Sequence, residues 1–141
     1  MPQFPSLEWC HALVSVLEKE PGVLPAAHEW GGKSVGVVIA KDKGLARDFC
    51  IYAKPHPTEL RLEILKVCED EDDLDLEEPD YLFRASLGLC RQVFARQLDP
   101  IEVLLKGQVK VVGDFKKLVP YSQKYRLLGE RAVEKVETIF P

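Results

Sequence analysis

The hydrophobic positions change period several times along the chain, and each change marks an element. Leu7, Cys10, Leu13, Val14 and Leu17 recur at spacings of three and four, which predicts a helix with one apolar stripe. Ser6 can cap that helix, and Pro21-Gly22 stops it. Pro25 to His28 can add a short helical turn, ended by Gly31-Gly32. Val35 to Ala40 is short, β-branched and apolar on both faces, the pattern of a central strand. Beyond the polar turn Lys41 to Gly44, Phe49, Ile51 and Ala53 alternate with Cys50, Tyr52 and Lys54 in a second strand that Pro55-His56-Pro57 ends. Leu60, Leu62 and Ile64 predict a third, half-buried strand, and the phase slip to Leu65 and Val67 predicts a bulge near Leu65. The turns are too short for helical crossovers, so these three strands are expected to pair antiparallel.

Nine acids then crowd between Glu69 and Asp80. Such a run reads as a solvated, self-repelling loop. It has no glycine, so it does not match a calcium-binding EF-hand loop. Asp80 to Ala85 resumes an extended pattern, with Tyr81 and Phe83 on one face and Leu82 and Arg84 on the other. Ser86 is placed to cap a helix marked by Leu87, Cys90, Val93, Phe94 and Leu98. Asp99-Pro100 opens a second helix carrying Ile101, Leu104 and Leu105, and Gly107 closes it. Gln108 to Val112 is a strand, Gly113-Asp114 opens a helix through Phe115 and Leu118, and Pro120 is expected to break or kink it and can start the next. Tyr121, Tyr125, Leu128, Ala132, Val136 and Ile139 then mark a terminal amphipathic helix. The sum is an α+β fold: a five-stranded, mainly antiparallel sheet covered by helices, in one domain spanning residues 1–141.

Composition adds limits. A chain of 141 residues buries roughly 68% of its unfolded surface, so it needs neither disulfide nor metal to fold. The net charge of −4 gives no electrostatic footprint for nucleic acid, although the acidic run leaves the remainder of the chain net positive. Cys10, Cys50, Cys68 and Cys90 form no CxxC pair and have no histidine at zinc-ligand spacing, so reduced thiols in a cytoplasmic protein are expected. No signal peptide is expected from the first residues, and no apolar run is long enough to span a bilayer. His11, His28 and His56 are scattered, with no nucleophile or carboxylate at a motif spacing. Gly31-Gly32-Lys33-Ser34 resembles the end of a phosphate-binding loop, but Ala27 stands where its first glycine belongs and no helix follows. Neither a cofactor nor catalysis is expected.

Residues Leu98 to Asp114 carry a resemblance. A short helix opened by Asp99-Pro100, then Gly107, an apolar strand with Lys110, and Gly113-Asp114 opening another helix resemble the signature of the sterol-carrier-protein-two family. Tyr81 to Ser86 looks like the strand before that family's central helix, and Leu7-Glu8-Trp9, Glu29 to Gly32 and Val133 to Pro141 are similar to pieces of its single-domain prokaryotic members. The family often has a tryptophan in the central helix, where this chain has Leu89-Cys90-Arg91, a departure that bears on pocket shape.

The resemblance implies a cavity between sheet and helices that holds a fatty acid, acyl thioester, sterol or isoprenoid without catalysis. Burying each CH₂ is worth about 0.8 kcal/mol, so an acyl chain of about 16 carbons can bind through its tail alone. The candidate lipid-binding wall is Phe83, Leu87, Cys90, Phe94, Ile101, Leu104, Leu118, Tyr121, Tyr125 and Leu128, with Tyr121 and Tyr125 offered as head-group partners at the mouth. The same spacing also suits ordinary core. Two readings therefore stand: a lipid carrier, or an interaction module with a vestigial cavity. Lys116, Lys117, Lys124 and Arg126 suit transient contact with an anionic membrane.

Overall fold

The computed structural model describes residues 2–141. Two helices, α1 (Leu7–Lys19) and α2 (Val23–Trp30), precede three strands, β1 (Val35–Ala40), β2 (Phe49–Pro55) and β3 (Leu62–Cys68). A short α3 (Glu71–Asp75) leads to β4 (Tyr81–Ser86), α4 (Leu87–Phe94) and α5 (Pro100–Leu105), and β5 (Lys110–Val112), α6 (Phe115–Lys124) and α7 (Arg126–Lys135) complete the chain. The sheet runs β3-β2-β1-β4-β5, which puts the doubly apolar β1 at its centre. Every neighbouring pair is antiparallel except β1 and β4, which run parallel with Val37 opposite Phe83. No helix among the described residues is long and apolar enough to cross a membrane.

The predicted caps form. Ser6, Ser86 and Asp114 accept the backbone N–H three residues on, and Asp99 accepts from Ile101 and Glu102. Gly107, at φ +73°, closes α5. The boundaries depart from expectation at several points. The phase slip in β3 falls at Glu63, since Lys54 faces Ile64 while Pro55 faces Leu62. The helix begun at Leu87 ends at Phe94, so Leu98 lies in the following connection. Pro120 sits inside α6 without ending it: the residue is exposed, so the carbonyl it leaves without a partner can meet water. The break comes at Tyr125, where φ −106° and ψ 17° leave the helical range. Ile139 lies beyond α7, in an extended segment bridged to Gln3.

The two faces of the sheet are covered differently. Val37, Ile39 and Phe49 pack under α1, α4 and the chain ends, where Phe4, Trp9, Phe94 and Phe140 make an aromatic cluster with centroids 4.8–5.7 Å apart. Further along the same face, Tyr81, Phe83 and Val111 pack with Leu104 and Leu118. The opposite face holds Val38, Cys50, Tyr52 and Cys68, and what covers it corrects the expectation of a solvated loop. The acidic segment folds into α3, capped by Asp70, and its Leu74 is fully buried on that face. Gly36 makes the seat. A Cβ there would lie 3.0 Å from Leu82 Cδ1 and 3.1 Å from Leu74 Cδ1, so any larger residue would force these two leucines to shift. Arg84 pairs with Glu71 at 2.9 Å, and Lys66 pairs with Glu77, so basic residues of the sheet take up part of the acidic charge. The isolated leucine supplied the anchor that the charge pattern concealed.

A polar tie joins the first helix to the last. Glu20, 5% exposed, accepts hydrogen bonds from Lys135 at 2.6 Å and Arg131 at 3.0 Å. The Lys135 bond, helped by Arg131 and opposed by desolvation, holds the Glu20 carboxyl below the usual range. A depressed carboxyl stabilises the fold above its unfolded pKa of about 4.3 and loses that contribution as pH falls through the lower folded value. Glu20→Gln is therefore expected to melt below the wild type at neutral pH, with the gap closing under acid. Melting curves at pH 7 and pH 3 check this; a gap of equal size at both would contradict it.

Candidate functional site

A cavity of about 1060 Å³ opens between β4 and the helices that follow it. Phe83 of β4 and Val109 line it from the sheet side. Val93 and Phe94 enter from the end of α4, Ile101 and Leu104 from α5, and Gly129 and Val133 from α7. Local sequence accounts for this arrangement. Asp99-Pro100 restarts the helix immediately after the α4–α5 connection, so Ile101 and Leu104 turn towards the space beneath α7. Val103 of the same short helix is buried at 2% exposure and anchors it.

The rim is charged. Arg126 of α7 reaches Asp99 at 2.8 Å and Glu130 at 3.1 Å, while Arg96 in the α4–α5 connection pairs with Glu134 of α7. These contacts clasp α7 to the α4–α5 connection beside the opening. Asp99 serves twice, as the cap of α5 and as a partner of Arg126. The N–H of Ile101, then that of Glu102 and the Arg126 charge, hold its carboxyl below the usual range.

Arg96 is also strained. Its φ of +59° is a left-handed conformation that closes α4: Arg96 N–H bonds Val93 O and Gln97 N–H bonds Gln92 O, the usual pattern of a helix ending in glycine. Arg96→Gly is expected to leave stability unchanged or raise it by up to about 1 kcal/mol, because glycine removes the left-handed penalty and exposed ion pairs contribute little. The same change removes a clasp, so the backbone amides of α7 are expected to exchange with solvent several-fold faster. Hydrogen exchange beside a urea titration checks both halves; lower stability with unaltered exchange in α7 would contradict the assignment.

A second cavity, about 330 Å³, lies on the other side of the α6–α7 junction. Val14 and Leu17 of α1, Val23, Ala26 and Trp30 of α2, and Leu60 and Leu62 line it, with Tyr121 and Leu128. Tyr125 and Gly129 line both cavities.

The ten candidate wall residues therefore divide. Phe83, Phe94, Ile101, Leu104 and Tyr125 line the larger cavity; Tyr121, Tyr125 and Leu128 line the smaller one. Leu87, Cys90 and Leu118 line neither and are core: Leu87 is 1% exposed, Cys90 packs against it, and Leu118 packs with Tyr81 and Leu104. Tyr121 is not a free head-group donor, because its hydroxyl already donates to Ala26 O at 2.8 Å, and burial pushes its pKa up to about 12. Sequence spacing missed Val93, Val109, Gly129 and Val133, and it missed the rim charges, which come from segments some 30 residues apart in the chain. Spacings of three and four give the inward stripe of each helix, but they do not distinguish a side chain that meets a neighbour from one that meets a space.

Other candidate groups have structural partners. Of the basic residues assigned to a membrane face, Lys124 pairs with Glu29 at 3.1 Å and Arg126 belongs to the clasp, while Lys116 and Lys117 are exposed. His28 Nε2 lies 3.0 Å from Thr58 O, and His56 Nδ1 accepts from the N–H groups of Thr58 and Glu59, so these two histidines brace one turn. Ser34 bonds Asp80 through both its N–H and its hydroxyl. No group of three or more metal-ligating side chains occurs among the described residues, and the four cysteines are free.

No protein-family model and no curated protein sequence matches this chain. Solved structures do. The crystal structure of sterol carrier protein 2 superposes with a TM-score of 0.70 at 21% identity, covering 94% of this chain and 95% of that one. A conserved hypothetical protein from Thermus thermophilus, described as a candidate sterol carrier protein, gives 0.71 at 18% identity over 95% and 90%. The UbiJ-SCP2 ubiquinone synthesis protein gives 0.53 at 18% identity over 94% and 95%. At these identities the likeness is one of architecture, and the chain has the α+β fold of sterol carrier protein 2.

Proposed function

We propose that this chain binds a hydrophobic lipid in the larger cavity and carries or presents it without catalysis, as a single-domain carrier of the prokaryotic type. The observation that supports this most is the cavity itself. Its volume of about 1060 Å³ reaches the upper end of the roughly 300–1,000 Å³ typical of small-molecule sites. Phe83, Val93, Phe94, Ile101, Leu104 and Val133 give it apolar walls, and five of its charged side chains, Arg96, Asp99, Arg126, Glu130 and Glu134, are held in ion pairs. That distribution suits a fatty acid, acyl thioester, sterol or isoprenoid: the tail is buried at about 0.8 kcal/mol per CH₂, and a polar end stays near the clasp. A cytoplasmic carrier would meet membranes transiently, and Lys116 and Lys117 are the free charges to test for that contact.

Native mass spectrometry of freshly purified protein tests the proposal. A lipid-sized adduct is expected. A clean apo mass, together with no displacement of a fluorescent fatty acid, would contradict it in favour of a protein-docking module. Membrane contact predicts vesicle binding that rises with anionic lipid content and falls with salt.

A further inference from the structure

The residue between the two cavities is a glycine without a packing reason. Gly129 lies in the interior of α7, its N–H bonded to Tyr125 O at 3.1 Å. Its φ is not positive, so the backbone does not require glycine. A Cβ placed on it would meet no atom within 4 Å, so close approach does not require glycine either. Glycine in a helix interior is destabilising relative to alanine. What remains at Gly129 is open space at an exposed position of α7, and both the 1060 Å³ and the 330 Å³ cavities border it.

Tyr125 is the other residue shared by the two cavities, one turn earlier, where the helix is interrupted. Its ring packs on Tyr121 with centroids 4.8 Å apart, and Lys124 Nζ lies 5.4 Å from its centre. Lys124 Nζ bonds Glu29 Oε1 at 3.1 Å and ties the junction to α2. The divide is therefore one turn thick, with the Tyr125 ring on one side and no side chain on the other.

We propose that Gly129 and Tyr125 form a window joining the two cavities, so that the site takes long, linear, flexible amphiphiles whose chain end passes into the smaller cavity. This rests on the lipid-binding reading above and narrows it. A flexible chain can thread a gap one side chain wide, whereas a fused-ring sterol is held to the larger cavity. Val14, Leu17, Val23 and Leu60 make the far end apolar, as a chain terminus requires.

Methyl NMR with decanoic, myristic and stearic acids tests the window. Decanoic acid is expected to shift only the methyls of Ile101, Leu104 and Val133, and stearic acid to shift those of Val14, Leu17, Val23 and Leu60 as well. Gly129→Phe is expected to confine stearic acid to the first set and to lower its affinity at least tenfold more than that of decanoic acid. If Gly129→Phe does not melt cooperatively, Gly129→Leu takes its place, with the same expectation. Stearic acid shifting only the first set in the wild type, or indifferent to the filled window, overturns the window and leaves the carrier reading standing. No response of either set to any acid overturns both.

Discussion

Replacing Leu74 with alanine is expected to lower the unfolding free energy by about 2–5 kcal/mol, the range for a buried leucine whose site cannot collapse. Leu74 is fully buried in a segment that is otherwise almost all acid. It touches the hollow over Gly36 and covers Val38, Cys50, Tyr52 and Cys68. The surrounding acids repel one another, so once the leucine is trimmed little holds α3 down beyond the exposed pairs from Arg84 and Lys66, and such pairs contribute at most about 1 kcal/mol each. Two readouts follow. Urea denaturation measures the loss of stability, and alkylation of Cys50 and Cys68, now 0% and 4% exposed, is expected to accelerate as α3 detaches. Leu76→Ala is the control. That leucine lies in the same acidic run at 81% exposure and should change stability by no more than about 0.5 kcal/mol. Equal effects at positions 74 and 76 would mean that the segment is the solvated loop its charges suggest.

Ile101→Glu is expected to weaken lipid binding at least a hundredfold while the protein remains folded. Ile101 lies in the first turn of α5, where a carboxylate is favoured by the helix dipole, and it is only half-buried. The helix therefore tolerates the change. The cavity does not: a bound tail would have to strip water from the new carboxylate, at a cost of several kcal/mol. Fluorescent fatty-acid titration beside a thermal melt checks the prediction. Intact binding with a cooperative melt would move the lipid away from the larger cavity. If the glutamate variant does not melt cooperatively, Ile101→Gln repeats the test with a neutral polar group.

What could be seen in the sequence was whatever the chain decides locally. Ser86, Asp99-Pro100, Gly107 and Asp114 cap or close their helices within a few residues, so the elements after β4 were legible. The central place of β1 followed from its two apolar faces. The parallel pairing of β1 with β4 was not legible, because it joins strands separated by the whole of β2, β3 and α3. Pro120 looked like a break because its ring removes a hydrogen bond, yet exposure makes that loss tolerable and Tyr125 interrupts the helix instead. Leu74 was hidden because one apolar residue among acids makes no period. The cavity was half legible for the same physical reason that Leu87 was assigned to its wall: Leu87 and Ile101 each occupy an inward position, and only the packing around them makes one core and the other lining. The Arg96–Glu134 and Arg126–Asp99 clasps join residues whose encounter depends on the completed fold.

The central claim is that a lipid tail is buried in the larger cavity, and the dependence of affinity on tail length tests it most directly. Isothermal titration of the saturated fatty acids from decanoic to stearic should show affinity rising about fourfold per added CH₂, the equivalent of about 0.8 kcal/mol. Affinity that stays flat along the series, or no binding by any member, would contradict it.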